Sequence, residues 1–378
     1  MAPILPGATI GFLGGGQLGR MSAMAARSLG YGVHALDPDP QCPARAVVDR
    51  VVTGRFDDEA AALELARHCD VVTLEIEQIA TGSLRAALRH APVRPGPNVL
   101  DVVRDRGRQK AWLRERGFPL GDYRVVGSAD ELHAAIHALG GEVYLKARVG
   151  GYDGRSQVRL QHVDHATEGW ATLGERPAVA ERALDLELEL SVMVARTPGG
   201  AVLAYPPAVN HHEQQVLAWS VIPGPVPPDV ASRATELARD LATSLGVEGL
   251  LAVEMFLTGD GQLLVNELAP RPHNSFHATE LACVTSQFEQ LVRAVCDLPL
   301  GATDAPRAAA VVNLFGDLWI DRPAPQFERA LAVSGARLFL YGKTHARPRR
   351  KMGHLAAVGD TPAAALERVQ SAYAQLGP

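Results

Sequence analysis

An apolar run over residues 8–13 stops at three consecutive glycines, and a 3.6-residue period follows over 18–29. That is the pattern of a buried strand, a tight turn and an amphipathic helix. The alternation continues with a strand over 32–36 ending at Asp37 and a helix over 58–68. A strand over 70–75 then ends on Glu75 and Glu77. Strands alternating with helices predict a parallel sheet whose ligands sit at the carboxyl ends of its strands. Pro92, Pro95 and Pro97 close this unit.

The pattern then changes. One basic helix over 101–116 carries Arg104, Arg106, Arg108 and Lys110 and reads as a solvated face, and a helix over 129–139 follows. A short strand, 142–146, runs into the glycine-rich loop Val149–Gln157 and out along a strand over 157–161. A P-loop would put a helix after its glycines. This arrangement suits a flap whose backbone N–H groups close over phosphates, with Lys146 as a fixed positive charge, although a plain hairpin loop is the bland alternative. Ala178–Glu181 is a short strand. Residues 186–194 alternate strictly, Leu186, Leu188, Leu190, Val192 and Val194 against Glu187, Glu189 and Ser191, as in a half-buried antiparallel strand. Strands over 201–205 and 216–221 flank the loop Asn210-His211-His212-Glu213. Adjacent histidines point apart, which favours one polar contact over a metal pair. A helix covers 229–245.

Residues 250–258 and 262–268 are two apolar strands around Asp260-Gly261, a two-residue hairpin signal. In that register Glu254 faces Glu267, with Cβ atoms about 4.5–5.5 Å apart. Like charges so placed point to water, share a proton or hold a cation. Two carboxylates with open coordination suit Mg²⁺ bound together with a phosphate. Arg271, His273 and Asn274 follow on a proline-rich, non-helical segment. A helix over 278–295, strands over 309–315 and 335–341 and a helix over 361–375 complete the chain. The basic run 341–354 is short and carries no interleaved aromatics, so a small phosphate ester fits it better than nucleic acid.

Composition narrows the picture. At 378 residues the chain is long enough for two or three domains, and its net charge of −5 argues against a nucleic-acid partner. No apolar run reaches 18 residues, so no membrane span is expected. The N-terminus reads as the first strand rather than a signal peptide. Cys42, Cys69, Cys283 and Cys296 show no paired spacing, so a disulfide or zinc framework is not expected and a reducing cytoplasm fits. G-x-G-x-x-G over 14–19 with Asp37 beyond it leaves an NAD-dependent oxidoreductase open beside a phosphate-using ligase.

Longer motifs carry more. GGGQLGRM (14–21), LDPDP (36–40), LEIE (74–77), DRGRQK (105–110), LKARVGGYDGRSQ (145–157), ELSVMVAR (189–196), VEMF (253–256), NELAPRPHNS (266–275) and RPRRKMGHL (347–355) occur in this order. The chain resembles the N5-carboxyaminoimidazole ribonucleotide synthetase family of purine biosynthesis, within the ATP-grasp superfamily. The resemblance implies an α/β ATP-grasp fold in three parts. These are an N-terminal Rossmann-like pre-ATP-grasp domain (1–103), a central lid domain (104–184) and a C-terminal α+β domain (185–378) with a small terminal β subdomain (302–378). It implies a cytoplasmic homodimer that uses ATP with Mg²⁺ and bicarbonate to carboxylate 5-aminoimidazole ribonucleotide through carboxyphosphate. Other ATP-grasp carboxylases or formyl-transfer ligases and a non-catalytic nucleotide binder are the neighbouring alternatives.

The resemblance also assigns residues. Glu254 and Glu267 would hold Mg²⁺. Arg106 and Lys146 would hold ATP phosphates, and Gly151, Tyr152, Asp153, Gly154, Arg155, Ser156 and Gln157 would form the flap. Glu181, Arg182, Ala183 and Leu184 would contact adenine, Glu189 the ribose, and His212 and Asn266 the nucleotide. Arg271, Lys343 and Arg350, with Lys351 nearby, would bind the ribonucleotide phosphate. Gln17, Glu75, Tyr152, Asp153, Arg155, His273 and Asn274 would surround the aminoimidazole. Asp153, Arg271, His273 and Lys146 would serve catalysis, with Asp153 and His273 orienting or accepting a proton. The chain departs from the pattern in places: Glu267-Leu268-Ala269-Pro270-Arg271 lacks the Asn of the superfamily's E-x-N-P-R, LEIEQ (74–78) stands where EFEN is expected, and Ser156 and Phe276 stand where glycines are usual.

Overall fold

A computed structural model describes residues 2–150, 157–321 and 324–377. The first sheet is parallel, in the order β3-β2-β1-β4, from β1 (Thr9–Leu13), β2 (Gly32–Asp37), β3 (Arg50–Thr53) and β4 (Val71–Leu74). The inner strands are buried on both faces, which is why they read as continuous apolar runs. The edge strand β3 is short and partly exposed and gives no such signal.

A second, antiparallel sheet is ordered β5-β8-β6-β7, from β5 (Tyr123–Val126), β6 (Val143–Ala147), β7 (Gln157–Leu160) and β8 (Ala178–Arg182). It packs on its own core of Leu132, Ile136, Leu145, Leu160 and Trp170.

The third sheet is the largest and antiparallel throughout. Its strands are β9 (Leu186–Arg196), β10 (Val202–Ala204), β11 (Ala208–Glu213), β12 (Val216–Ile222), β13 (Gly249–Thr258), β14 (Leu263–Ala269), β15 (Ala308–Phe315), β16 (Ala336–Leu340) and β17 (Lys351–Gly359). They run β14-β13-β9-β11-β12-β15-β17-β16, with β10 added on β9. One face shares a core with the parallel sheet, through Met193, Ala195, Tyr205 and Phe276 against Ile10, Phe12 and Val33. The other face packs Val192, Val194 and Val253 on the helix Pro228–Leu245.

Several expectations are corrected. The basic helix over 101–116 is two helices, Pro97–Val103 and Arg106–Glu115. Asp105 breaks it, its carboxylate accepting from the N–H groups of Gly107 and Arg108 as an N-cap. The stretch 278–295 likewise splits, because Ser286 caps a new helix at Gln287. Asn210–Glu213 is not a loop but the end of β11. β9 is half-buried only over its first residues; Leu190 to Ala195 are buried on both faces. β17 was missed because the basic run hides where it starts.

Phe276, where a glycine is usual, joins the core shared by the parallel sheet and the large sheet. It is fully buried and packs 6.1 Å, centroid to centroid, from Tyr205.

Candidate active site

The hairpin β13–β14 reaches its expected pairing by an unexpected route. The turn holds three residues, not two: Thr258 N–H donates to Gln262 O, and Gly261 takes φ +81°. Left alone, that extra residue would slip the register and turn every later side chain to the wrong face. A bulge between Glu254 and Met255, with Asn266 as the extra residue on β14, restores it. Glu254 and Glu267 therefore are paired, and the bulge turns Asn266 to their face. Asn266 Nδ2 donates to Glu254 Oε2 at 3.3 Å, and Lys146 Nζ donates to Asn266 Oδ1 at 3.4 Å.

The two glutamates differ in charge state. Burial and the charge of Glu267 push the Glu254 carboxyl up to about 7. Burial also acts on Glu267, but Arg106 reverses its effect: Nη1 donates to Glu267 Oε2 at 2.9 Å, and the carboxyl lies below its usual range. Two charges that repel are thus held by one cation and one retained proton.

Above them the lid presents two lysines to one carboxylate. Lys146 Nζ donates to Glu181 Oε2 at 2.9 Å, and Lys110 Nζ lies 3.3 Å from Glu181 Oε1. Burial alone would raise Glu181, yet Lys110 and Lys146 lower it to about 2. Lys146 and Tyr144 share a face of β6, and Tyr144 is paired with Glu181, so the contact is a sheet diagonal. Arg106 and Lys110 lie one helical turn apart, on the inner face of their helix. Of the four basic residues expected on a solvated face, only Arg108 is exposed. On the third sheet His212 Nδ1 lies 2.8 Å from Glu189 Oε2, and despite burial this partner raises the imidazole pKa. His211 points the other way and stacks on Trp219 at 5.0 Å. Arg182 is exposed at the rim, and the N–H groups of Arg182 and Ala183 already donate to Asp122 O and Glu142 O. Leu184 is half-buried beside them, and Gln157 opens β7 opposite Lys146.

A second cluster adjoins the first. His273 Nε2 lies 3.2 Å from Glu254 Oε1, and burial, followed by the charge of Arg271, holds its ring well below its usual pKa. Arg271 Nε lies 2.7 Å from Glu77 Oε1. Asn274 is buried, and neither its Oδ1 nor its Nδ2 meets a hydrogen-bond partner among the described residues. An amide buried with both ends open is costly unless something else fills them. Further out, Lys343 Nζ donates to Gln17 Oε1 at 2.7 Å and to the carbonyl of Lys351 at 2.5 Å. Arg350 Nη1 donates to His345 O and closes the basic loop from its outer side.

The glycine turn of the first sheet is occupied by the protein itself. Glu75 accepts from Gly16 N–H at 2.7 Å and Gly19 N–H at 2.8 Å, and Asp37 accepts from Gly15 N–H at 2.8 Å. The helix N-terminus that would receive a dinucleotide pyrophosphate already faces a carboxylate. The oxidoreductase reading loses its anion site.

Gly151, Tyr152, Asp153, Gly154, Arg155 and Ser156 lie outside the described residues. Of the other expected residues, Arg106, Lys146, Glu181, Asn266, Glu254, Glu267 and His273 form one connected group. His212 and Glu189 form a pair beside it, while Arg182 and Arg350 stay at the rim. Lys110 and Glu77 were missed as site residues; their spacing to Arg106 and Glu75 on one helix face and one strand end was the available signal. Ser191, Asn210 and Ser275 carried no signal, because a buried serine reads like any small core residue. Among the described residues no three His, Cys, Asp or Glu side chains could hold a metal by themselves. Glu254 and Glu267, paired across β13 and β14, are oxygen donors of the kind Mg²⁺ takes together with ligand phosphates. No helix among them is long and apolar enough to cross a membrane.

A lysine-bearing lid sheet set over a carboxylate-bearing antiparallel sheet defines an ATP-grasp enzyme. The ATP-grasp domain model matches residues 111–288. The ribonucleotide synthetase preATP-grasp domain model matches 7–104, and the phosphoribosylaminoimidazole carboxylase C-terminal domain model matches 309–368. The chain is 42% identical to the N5-carboxyaminoimidazole ribonucleotide synthase of Brucella melitensis, over 93% of this chain and 97% of the relative. It is 39% identical to that of Bacillus subtilis, over 93% and 92%. Two solved structures superpose over nearly the whole chain. The Staphylococcus aureus N5-carboxyaminoimidazole synthetase complexed with ADP gives a TM-score of 0.92 at 32% identity, covering 100% of this chain and 99% of that one. The Aspergillus clavatus synthase in complex with ADP and 5-aminoimidazole ribonucleotide gives 0.90 at 32%, covering 98% of each. The chain belongs to the N5-carboxyaminoimidazole ribonucleotide synthase family.

Proposed function

We propose that this enzyme carboxylates the exocyclic amine of 5-aminoimidazole ribonucleotide, consuming ATP and bicarbonate and releasing ADP and phosphate by way of carboxyphosphate. The observation that carries the reading is the 3.2 Å contact between His273 and Glu254, which joins a phosphate-handling cluster to a separate ligand cluster. Bicarbonate is a poor electrophile, and activating it by phosphoryl transfer calls for positioning and charge neutralisation. Arg106, Lys110 and Lys146 supply three inward cations around Glu181 and Glu267. Glu254 and Glu267 would hold Mg²⁺ against the nucleotide phosphates, and the ion would supply charge neutralisation there. Glu189 and His212 would meet the ribose side of the nucleotide, and residues 181–184 its base. Arg271, oriented by Glu77, supplies positive charge between the clusters. Asn274 would satisfy its open amide on the ribonucleotide, whose phosphate would face Lys343, Lys351 and Arg350. The same reading carries a homodimer in the cytoplasm; a monomer mass by light scattering would overturn the dimer.

The deciding experiment is ADP release measured with ATP, Mg²⁺, bicarbonate and aminoimidazole ribonucleotide, leaving out one component at a time. Release should require all four. Release that needs neither Mg²⁺ nor the ribonucleotide would sink the assignment.

A further inference from the structure

We infer that Asn210, Ser191 and Ser275 form a polarised chain of hydrogen bonds that fixes the tautomer of His273, so that Nδ1 is bare and Nε2 carries the hydrogen. The chain crosses the large sheet from strand to strand. Asn210 Nδ2 on β11 donates to Ser191 Oγ on β9 at 3.0 Å. Ser191 Oγ donates to Ser275 Oγ at 2.9 Å, and Ser275 Oγ lies 2.8 Å from His273 Nδ1. Ser191 and Ser275 are wholly buried, and Ser220 Oγ pins the turn from below by donating to Ser275 O at 2.9 Å.

The direction of the chain follows from its members. A hydroxyl has one hydrogen to give. Ser191 receives from the amide and gives to Ser275, so Ser275 has its own hydrogen left for Nδ1. The backbone N–H of Ser275, which can only donate, also points at Nδ1, at 3.4 Å. Two donors aimed at one ring nitrogen require its lone pair there. In a neutral imidazole the hydrogen then sits on Nε2, where Glu254 Oε1 accepts it at 3.2 Å. The opposite tautomer would set hydrogen against hydrogen twice at Ser275, at its hydroxyl and at its backbone N–H. His273 therefore meets the site as an N–H donor rather than as a base. Ser191, Ser275 and Asn210 are positioning residues.

The tautomer stands on geometry alone; its bearing on carboxylation rests on the function proposed above. Nitrogen NMR of the full chain with isotope-labelled histidine reads it directly, His273→Gln identifying the signal. A protonated Nε2 and a bare Nδ1 are expected. A protonated Nδ1, or a ring averaging between tautomers, would overturn the inference. Ser191→Ala should release the ring into averaging and lower kcat by about 10-fold or more, with the ribonucleotide KM little changed. Ser191→Thr, which keeps the hydroxyl, should restore the fixed tautomer. A fixed tautomer in Ser191→Ala would show that the chain does not hold it. A protein with the expected signature that fails to carboxylate would sink the function and leave the inference standing.

Discussion

Asp37 and Glu75 at the end of the parallel sheet, and Glu254 and Glu267 on the antiparallel one, are both acidic pairs, the first buried and the second half-buried. The first pair is satisfied by backbone N–H groups of a fixed glycine turn. The second is met by Arg106, Asn266 and His273, side chains that can rotate away. A carboxylate held by backbone is structural cement, because its partners cannot leave. One held by side chains and a retained proton is exchangeable for a ligand. The motif that looks most like a nucleotide site is thus the closed one, and the pair that looks like a folding liability is the open one.

The contrast can be broken or sharpened by experiment. The largest effect is expected at Glu181, which neutralises two buried lysines: Glu181→Gln should cost about 3–5 kcal/mol of stability in denaturant unfolding. A loss under about 1 kcal/mol would mean that the lysines find other partners. Next, Glu267→Gln should leave a folded protein whose turnover falls about 10²–10³-fold. Wild-type turnover there would remove the open pair from the chemistry. On the closed side, a Cβ at Gly16 would sit 2.4 Å from Glu75 Oε1. Gly16→Ala should therefore cost about 1–3 kcal/mol of stability, since the carboxylate cannot retreat from its donors. If the unfolding midpoint does not move, the cement picture fails.

Titration separates Glu254 of the open site from Glu181. Glu254 is raised to about 7 from 4.5, so its contribution is fully present below pH 4.5 and is lost as pH rises to about 7. Glu181 is lowered to about 2, so its contribution is present above pH 4.5 and is lost as pH falls toward 2. Each slope is at most about 1.4 kcal/mol per pH unit. Stability of Glu254→Gln measured from pH 4.5 to 7 should lack the decline seen in the parent, and an identical decline would refute the raised carboxyl. The smallest effect is expected at the half-buried end of the basic loop: Arg350→Ala should raise the ribonucleotide KM about 2- to 5-fold and leave ATP binding unchanged. Lost ATP affinity would mean that the two ligand clusters are interchanged.

The pairing of Glu254 with Glu267 was legible in the sequence, but for a reason only half right. A two-residue turn and a three-residue turn with one bulge give the same partner at that position, and nothing in the apolar alternation distinguishes them. The strand–helix pattern of the first sheet was readable because buried parallel strands are uniformly apolar. Breaks inside helices were not, since Asp105 and Ser286 look like ordinary polar positions until their side chains are seen capping. Lys110 and Glu77 escaped because a basic helix and a loop carboxylate are most often solvated. The Asn210–Ser191–Ser275 chain joins residues far apart in sequence and depends wholly on which strands become neighbours.

The hydrogen bond from Lys343 to Gln17 spans 326 residues of sequence. At about 5–20 residues per second of synthesis, the ribosome needs roughly 15–65 s to deliver the second partner after the first. During that interval the glycine turn, closed by its own carboxylates, needs no later residue to be satisfied. The outer wall of the ligand cluster cannot exist until nearly the whole chain has emerged, so the polar groups of the glycine turn are satisfied well before the site can hold anything there.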